Sequence, residues 1–359
     1  MNDGLKVRKV SYMGISAISL FCGAGGLAYG LRRAGIDVKL GVDIEERCAW
    51  PFRHNVDADF LKADIAQLSP SDLPRRTRRD GFLVITGCAP CQPFSYANRY
   101  RARDAAHGVG LLGHFLSLAL QMRPEFVFLE NVSPVLHQSG FKKIRNELAE
   151  GGYQVWAGTV DAYDCGVAQT RRRAVVLATR LRIAPGGIRK SPGPRPRTLR
   201  DAIGGLPQLK AGGRDSNDPL HAAAGLSALN LRRIKASQPG GTWADWPSSL
   251  RLDCHRDGPG AGYTESYGRM RWDRAAPTIT TKFFNYGSGR FGHPDQDRAL
   301  SPREAALLQG FPTRFRFAAH EEDLSFGDIG RLIGNAVPVP LGFAVGRTIH
   351  HLVQMAGTA

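Results

Sequence analysis

Ile15-Ser16-Ala17-Ile18-Ser19-Leu20-Phe21-Cys22-Gly23-Ala24-Gly25-Gly26 leads into a helical pattern from Leu27 to Ala34 that Gly35 closes. The first six residues form a short run of β-branched and apolar character, as in a strand, and the glycine cluster is a turn. Strand, glycine-rich turn and helix in that order open a doubly wound α/β sheet. Glycines in such a turn let the backbone approach a ligand closely, and the helix N-terminus presents N–H groups without intrahelical partners. Many such turns carry glycine for packing alone, so the unit by itself leaves both readings open.

Working outward, Val38 to Val42 predicts a second strand with Asp43 at its carboxyl end. An acid about 20 residues past the glycine turn is where doubly wound folds grip a ribose diol. The third glycine of a dinucleotide-binding turn is missing, which disfavours NAD. A ligand with ribose but no phosphate, such as S-adenosylmethionine, fits better. Asp64 is a further carboxylate placed where an adenine amino group would be bound, or else an ordinary solvated loop aspartate.

Phe82-Leu83-Val84-Ile85 predicts a buried strand running into Gly87-Cys88-Ala89-Pro90-Cys91-Gln92-Pro93-Phe94-Ser95. Pro90 and Pro93 stiffen that turn, and the Cys91 thiol sits between them. Loops beyond the carboxyl ends of the strands collect ligands and chemistry, so Cys91 is a candidate nucleophile. The alternatives are a buried spacer thiol or a Cys88-x-x-Cys91 redox or metal pair. A metal would need a second ligand pair, which the sequence does not offer.

Asn98 to Gly110 is polar and basic, and predicts a loop able to close over substrate. Leu111 to Met122 predicts an amphipathic helix and Phe126 to Leu129 a strand ending in Glu130-Asn131-Val132. Glu130 at a strand end suits an acid beside Cys91, or a capping or salt-bridge residue. Gln169-Thr170-Arg171-Arg172-Arg173 leads into the strand Ala174 to Ala178. Strand alternation puts Arg171 and Arg173 on one face, suited to a polar base edge or a phosphate.

From Ile183 to about Tyr263 the chain is rich in Gly, Pro, Arg and Trp, and predicts a second, smaller, irregular domain. Trp243, Trp246, His255 and Arg256 are compatible with nucleic-acid contacts or with ordinary packing. The domain reading is therefore 1–182, 183–263, and 264–359 returning to the first unit with a C-terminal helix. The formal charge of +16 in 359 residues implies a polyanionic partner, nucleic acid first. No run of eighteen apolar residues occurs and the N-terminus lacks a signal-peptide core, so the expectation is a cytoplasmic protein with no membrane contact.

Together these motifs resemble the DNA (cytosine-5)-methyltransferase family. Phe21 to Gly26 is similar to its first motif, Pro90-Cys91-Gln92 to its nucleophile loop, and Glu130-Asn131-Val132 to its acid motif. Gln169 to Arg173 resembles its Gln-x-Arg-x-Arg motif, while Ala276 to Thr281 and Gly334 to Val337 resemble its last two. Ala89 stands where the family commonly has a proline, and Cys88 where it often has a glycine.

The resemblance implies a Rossmann-like methyltransferase fold with a target-recognition domain. It implies catalytic roles for Cys91, Glu130, Arg171 and Arg173, with Arg171 helping to position the site. S-adenosylmethionine would be held by Phe21, Gly23, Gly25, Gly26, Asp43, Ile44, Asp64, Pro90, Asn335 and Val337, with no metal. The implied partner is duplex DNA, with or without a restriction endonuclease acting on the same site; the default expectation is a monomer. Rival implications are an RNA-directed enzyme of the same family and a catalytically silent DNA-binding relative.

Overall fold

The computed structural model describes residues 14–74, 81–89, 102–133, 139–190, 198–256 and 264–358. Pro90, Cys91 and the rest of the nucleophile loop through residue 101 lie outside them, and so does most of the basic stretch after Leu73. Among the described residues seven strands form one sheet: β1 (Ile15–Leu20), β2 (Asp37–Asp43), β3 (Asp59–Lys62), β4 (Phe82–Gly87), β5 (Phe126–Val132), β6 (Gln154–Asp161) and β7 (Arg172–Thr179). Their spatial order is β3-β2-β1-β4-β5-β7-β6. β1 to β5 pair in parallel, and β7 runs antiparallel to both β5 and β6. This is the mostly parallel α/β sheet that the sequence predicts, with one reversed strand.

Both faces of the sheet are covered, which is why its central strands read as unbroken apolar runs. Alternation divides each strand between two cores. Val84, Phe126, Phe128, Val175 and Leu177 face α1 (Gly26–Arg33) and the C-terminal helix. Ile85, Val127, Leu129, Val176 and Ala178 face the other way. There they meet α3 (Ala102–Met122) and α4 (Ser139–Glu150), which follow α2 (Ala49–Val56) in the chain.

α3 begins within the segment expected to be a loop, because residues 102–110 continue the helix of Leu111 to Met122 toward its N-terminus. α2 and β3 are among the elements that the sequence does not predict. β3 is only four residues long and α2 carries Pro51, so neither shows a clear period.

After β6 come the short α5 (Ala162–Cys165), then β7, then α6 (Leu199–Ile203), α7 (Ala228–Lys235) and α8 (Asp253–Arg256). Leu199 and Ile203 pack into the main core. A separate small core gathers Ile234, Trp243, Trp246 and Leu250, and it is completed by Tyr286 and Ala299. Trp243 and Trp246 are buried, Trp243 stacks on His255 at 4.3 Å, and Trp246 Nε1 donates to Ser237 at 2.7 Å. These aromatics therefore build the core of the irregular region and do not face outward as nucleic-acid contacts; their indoles are too large to leave unburied in so small a unit.

The chain ends in α9 (Pro302–Leu308), α10 (Phe326–Gly334) and α11 (Val339–Thr358). The stretch 326–357 is long and apolar enough to cross a membrane by length and composition, but 78% of its apolar window is buried inside the protein. α11 packs tightly on α1, with Gly30 under the Val339 carbonyl and Gly342 against the Leu27 backbone.

Candidate active site

Of the predicted site residues that the structure describes, Phe21 to Gly26, Asp43 and Ile44 lie at the carboxyl ends of β1 and β2, Asp64 beyond β3, and Glu130 near the end of β5. Beyond β1 the chain turns sharply, with Phe21, Gly23 and Gly25 all in the left-handed region at φ 51°, 54° and 96°. Gly23 needs glycine for its backbone, since among the described residues nothing lies within 4 Å of where a Cβ would project. That open side is what a ligand approaching the turn requires. Gly26 differs: a Cβ there would meet the Val337 carbonyl oxygen at 2.3 Å. Its role is to let the last motif close against the first turn of α1.

Asp43 fixes the turn from β2. Its Oδ2 accepts the Gly23 N–H at 2.8 Å and its Oδ1 the Glu45 N–H at 3.0 Å. Burial raises the Asp43 carboxyl above its ordinary range, while these two N–H groups pull the other way. Beneath it, burial pushes the Cys22 and Cys48 thiols up, with the Asp43 charge adding to both. Neither thiol is therefore suited to ionise. Ile44, next to Asp43, is 65% exposed at the strand end, an isolated apolar surface beside an acid and a bare glycine turn. Asp64 follows β3, half-buried, with Oδ1 accepting the Ala66 N–H at 2.9 Å. Asn335 caps α10 and is exposed, whereas Val337 is buried in the main core.

The second half of the site forms on β4, β5 and β7. Glu130 is 2% exposed near the end of β5. In the antiparallel register Val175 stands opposite Glu130, so Arg173, two residues earlier on β7, is a diagonal neighbour on the same face. Its Nε lies 3.0 Å from Glu130 Oε1. Glu130 Oε2 accepts the Cys88 thiol at 2.8 Å. Asn131 Nδ2 donates to the Ala89 carbonyl at 3.3 Å, tying β5 to the root of the nucleophile loop. Cys91 and Pro90 lie outside the described residues.

Arg171 behaves differently from the expectation of two guanidinium groups offered together to a base or phosphate. It is 4% exposed, and its Nη atoms donate to the carbonyls of Ile279, Gly334 and Ala336 at 2.9, 3.4 and 3.2 Å. It clamps the two last motifs onto β7. Arg171 stands one residue before the regular strand, where its N–H donates to Asp161 Oδ1 and its guanidinium is taken up by these carbonyls.

Gln169 joins the same network: its Nε2 donates to the carbonyl of Leu308 and to Gln309 Oε1, and its Oε1 accepts the Ile279 N–H. Gln309, fully buried, donates on to the Ile333 and Ala336 carbonyls. Sequence reasoning missed Gln309, which reads as the polar end of an amphipathic helix. Its only signal is a buried position on the α9 stripe.

A sheet of this order with its reversed strand, and with the glycine turn and the strand-end acid at one edge, has the Rossmann-like fold of S-adenosylmethionine-dependent methyltransferases. Residues 15–351 match the family of C-5 cytosine-specific DNA methylases. The chain belongs to that family, and is an S-adenosylmethionine-dependent DNA cytosine-5 methyltransferase.

It is 40% identical over 349 residues to the type II methylase M.HgiDII of Herpetosiphon aurantiacus, covering 94% of this chain and 96% of that one. It is 33% identical over 352 residues to the type II methyltransferase M1.HphI of Haemophilus parahaemolyticus, covering 94% and 87%. Among solved structures, a putative DNA modification methyltransferase encoded within an E. coli prophage superposes with a TM-score of 0.71 at 23% identity, covering 95% of this chain and all of that one. The Entamoeba histolytica methyltransferase EhMeth does so with 0.66 at 16% identity, covering 95% and 98%.

Proposed function

We propose that this chain methylates C5 of a cytosine flipped out of a specific sequence in duplex DNA, through a covalent adduct between Cys91 Sγ and C6. The observation that carries this reading is the Glu130–Arg173 pair, a buried carboxyl and guanidinium at the end of β5 beside the root of the Cys91 loop.

Cytosine C5 is a poor nucleophile. Attack of the Cys91 thiolate on C6 makes C5 enamine-like, and electron density builds on the ring. Glu130 relieves it by protonating or hydrogen-bonding N3, and Arg173 holds O2. S-adenosylmethionine supplies the methyl group from its sulfonium. A base then takes the C5 proton, the double bond reforms, and the thiolate leaves C6. The target carbon cannot be reached inside a duplex, so the base is flipped at a cost of about a few kcal/mol.

The turn at Phe21, Gly23 and Gly25 fits the cofactor, because Gly23 is bare on its open side and Asp43 and Ile44 flank it. Asp64, Pro90 and Asn335 would complete that site, with Gly26 and Val337 supporting it from behind. Residues 183–263 would form the target-recognition domain between the catalytic segments 1–182 and 264–359. The basic charge of +16 favours the DNA backbone. The type II relatives favour a restriction-modification or orphan modification enzyme, with or without a cognate endonuclease; the reading includes a cytoplasmic monomer.

Bisulfite sequencing of host DNA with and without the protein tests this. Cytosines protected in one short sequence context are expected, and their absence with Cys91→Ser. A Cys91→Ser protein that still protects them rules out the adduct.

A further inference from the structure

We infer that Cys88 is a positioning residue for Glu130, fixing the carboxyl oxygen that meets the base. The inference rests on the proposed role of Glu130 as the acid toward cytosine N3. The two oxygens of Glu130 face different neighbours: Oε1 lies 3.0 Å from Arg173 Nε, and Oε2 accepts the Cys88 thiol at 2.8 Å. A guanidinium keeps its charge at every accessible pH, so it holds a negative oxygen in front of it. The oxygen left to meet the base is therefore Oε2, at which Cys88 stands.

Cys88 lies one residue beyond β4 and on the loop that carries Cys91. It thus ties the orientation of the acid to the strand end that launches the nucleophile. A thiol suits this place because it is a weak donor. It aligns the carboxylate while claiming little of the oxygen that meets the base. A hydroxyl would hold the anion harder, and a methyl would not hold it at all. Among the described residues, the titratable and charged groups that the structure sets against Glu130 are Arg173 from β7 and Cys88 from the end of β4.

The test is the pH profile of kcat for methylation of unmethylated phage DNA, comparing wild type, Cys88→Ala and Cys88→Ser. An acid that must be protonated gives a rate that is lost as pH rises. Removing a donor to the anion moves that alkaline limb upward, so Cys88→Ala is expected above wild type. A stronger donor moves it downward, so Cys88→Ser is expected below. A separation of roughly one pH unit is the size that a hydrogen bond to a charged group gives.

KM for S-adenosylmethionine stays at the wild-type value in both variants. Limbs that coincide, or that shift in the same direction, overturn the role of Cys88, since a packing defect would not separate the two. If the alanine variant fails to fold, the near-isosteric serine variant carries the test against wild type alone. A wild-type protein that transfers no methyl group to any DNA overturns the underlying reading instead, and the Cys88 role with it.

Discussion

The carbonyl oxygen of Val337 sits over Gly26, 2.3 Å from where a Cβ would project, with Phe311 and Ala336 closing the other sides at 3.3 and 3.4 Å. The last motif of the chain is thereby pressed against the first helical residue after the glycine turn. Two of these neighbours are side chains, but the nearest is backbone and cannot rotate away.

Gly26→Ala is consequently expected to push the Val337 segment off α1. The cost should be about 1–3 kcal/mol, typical of forcing an atom into a packed site, together with weaker S-adenosylmethionine binding because Asn335 moves with that segment. Thermal unfolding and calorimetry measure the two. An unchanged melting temperature would show that the contact has slack.

Arg173→Ala leaves the 2% exposed carboxylate of Glu130 without its cation. Breaking a buried pair from one side costs about 3–5 kcal/mol. Adding Glu130→Gln removes the stranded charge, so the double variant is expected to regain much of that stability in urea unfolding while methyl transfer stays absent. A double variant no more stable than Arg173→Ala would mean that Glu130 is not held as an anion by Arg173.

Arg171 spans carbonyls on two separate segments, Ile279 on one side and Gly334 with Ala336 on the other. Lysine is a point donor on a flexible stem and cannot bridge both. Arg171→Lys should therefore lower the urea midpoint by an amount equivalent to about 1–3 kcal/mol, the penalty for leaving buried carbonyls unmet. Gln309→Ala should act in the same direction, because it also loses the bonds to the Ile333 and Ala336 carbonyls. Wild-type midpoints in both would remove the clamp from the account.

His293 is 2% exposed, and burial lowers its imidazole from the ordinary value of 6.5 to about 4. Its Nδ1 accepts the N–H groups of Asp295 and Gln296, which a protonated ring could not do. A histidine whose folded-state value is depressed binds its proton more readily when unfolded. Stability is then full above the unfolded value and is lost as pH falls from about 6.5 toward 4. The loss from this group approaches about 3 kcal/mol at the low end. His293→Asn keeps an acceptor near the Nδ1 position and cannot titrate, so its melting temperature should fall less across that window. Parallel curves for the two proteins would assign the acid loss elsewhere.

Much of the catalytic sheet was legible in the sequence because its signals are local. Apolar runs mark β1, β4, β5 and β7, the glycine cluster marks the turn before α1, and Asp43 and Glu130 stand at strand ends, where an open sheet puts its ligands. What local pattern could not carry is which side chains meet. The reversed direction of β7 places Arg173 diagonal to Glu130, while Arg171, just before that strand, is spent on main-chain carbonyls of distant segments.

Trp243 and Trp246 look alike in sequence to aromatics that grip nucleic acid, yet a small core needed their bulk. Gln309 and the Gly26–Val337 contact depend on segments far apart in the chain. Sequence determined the elements and the chemistry they carry, through propensity and period. Only the tertiary structure, by closing strand order and burying unpaired polar groups against one another, decided which residue faces the reaction and which holds the frame.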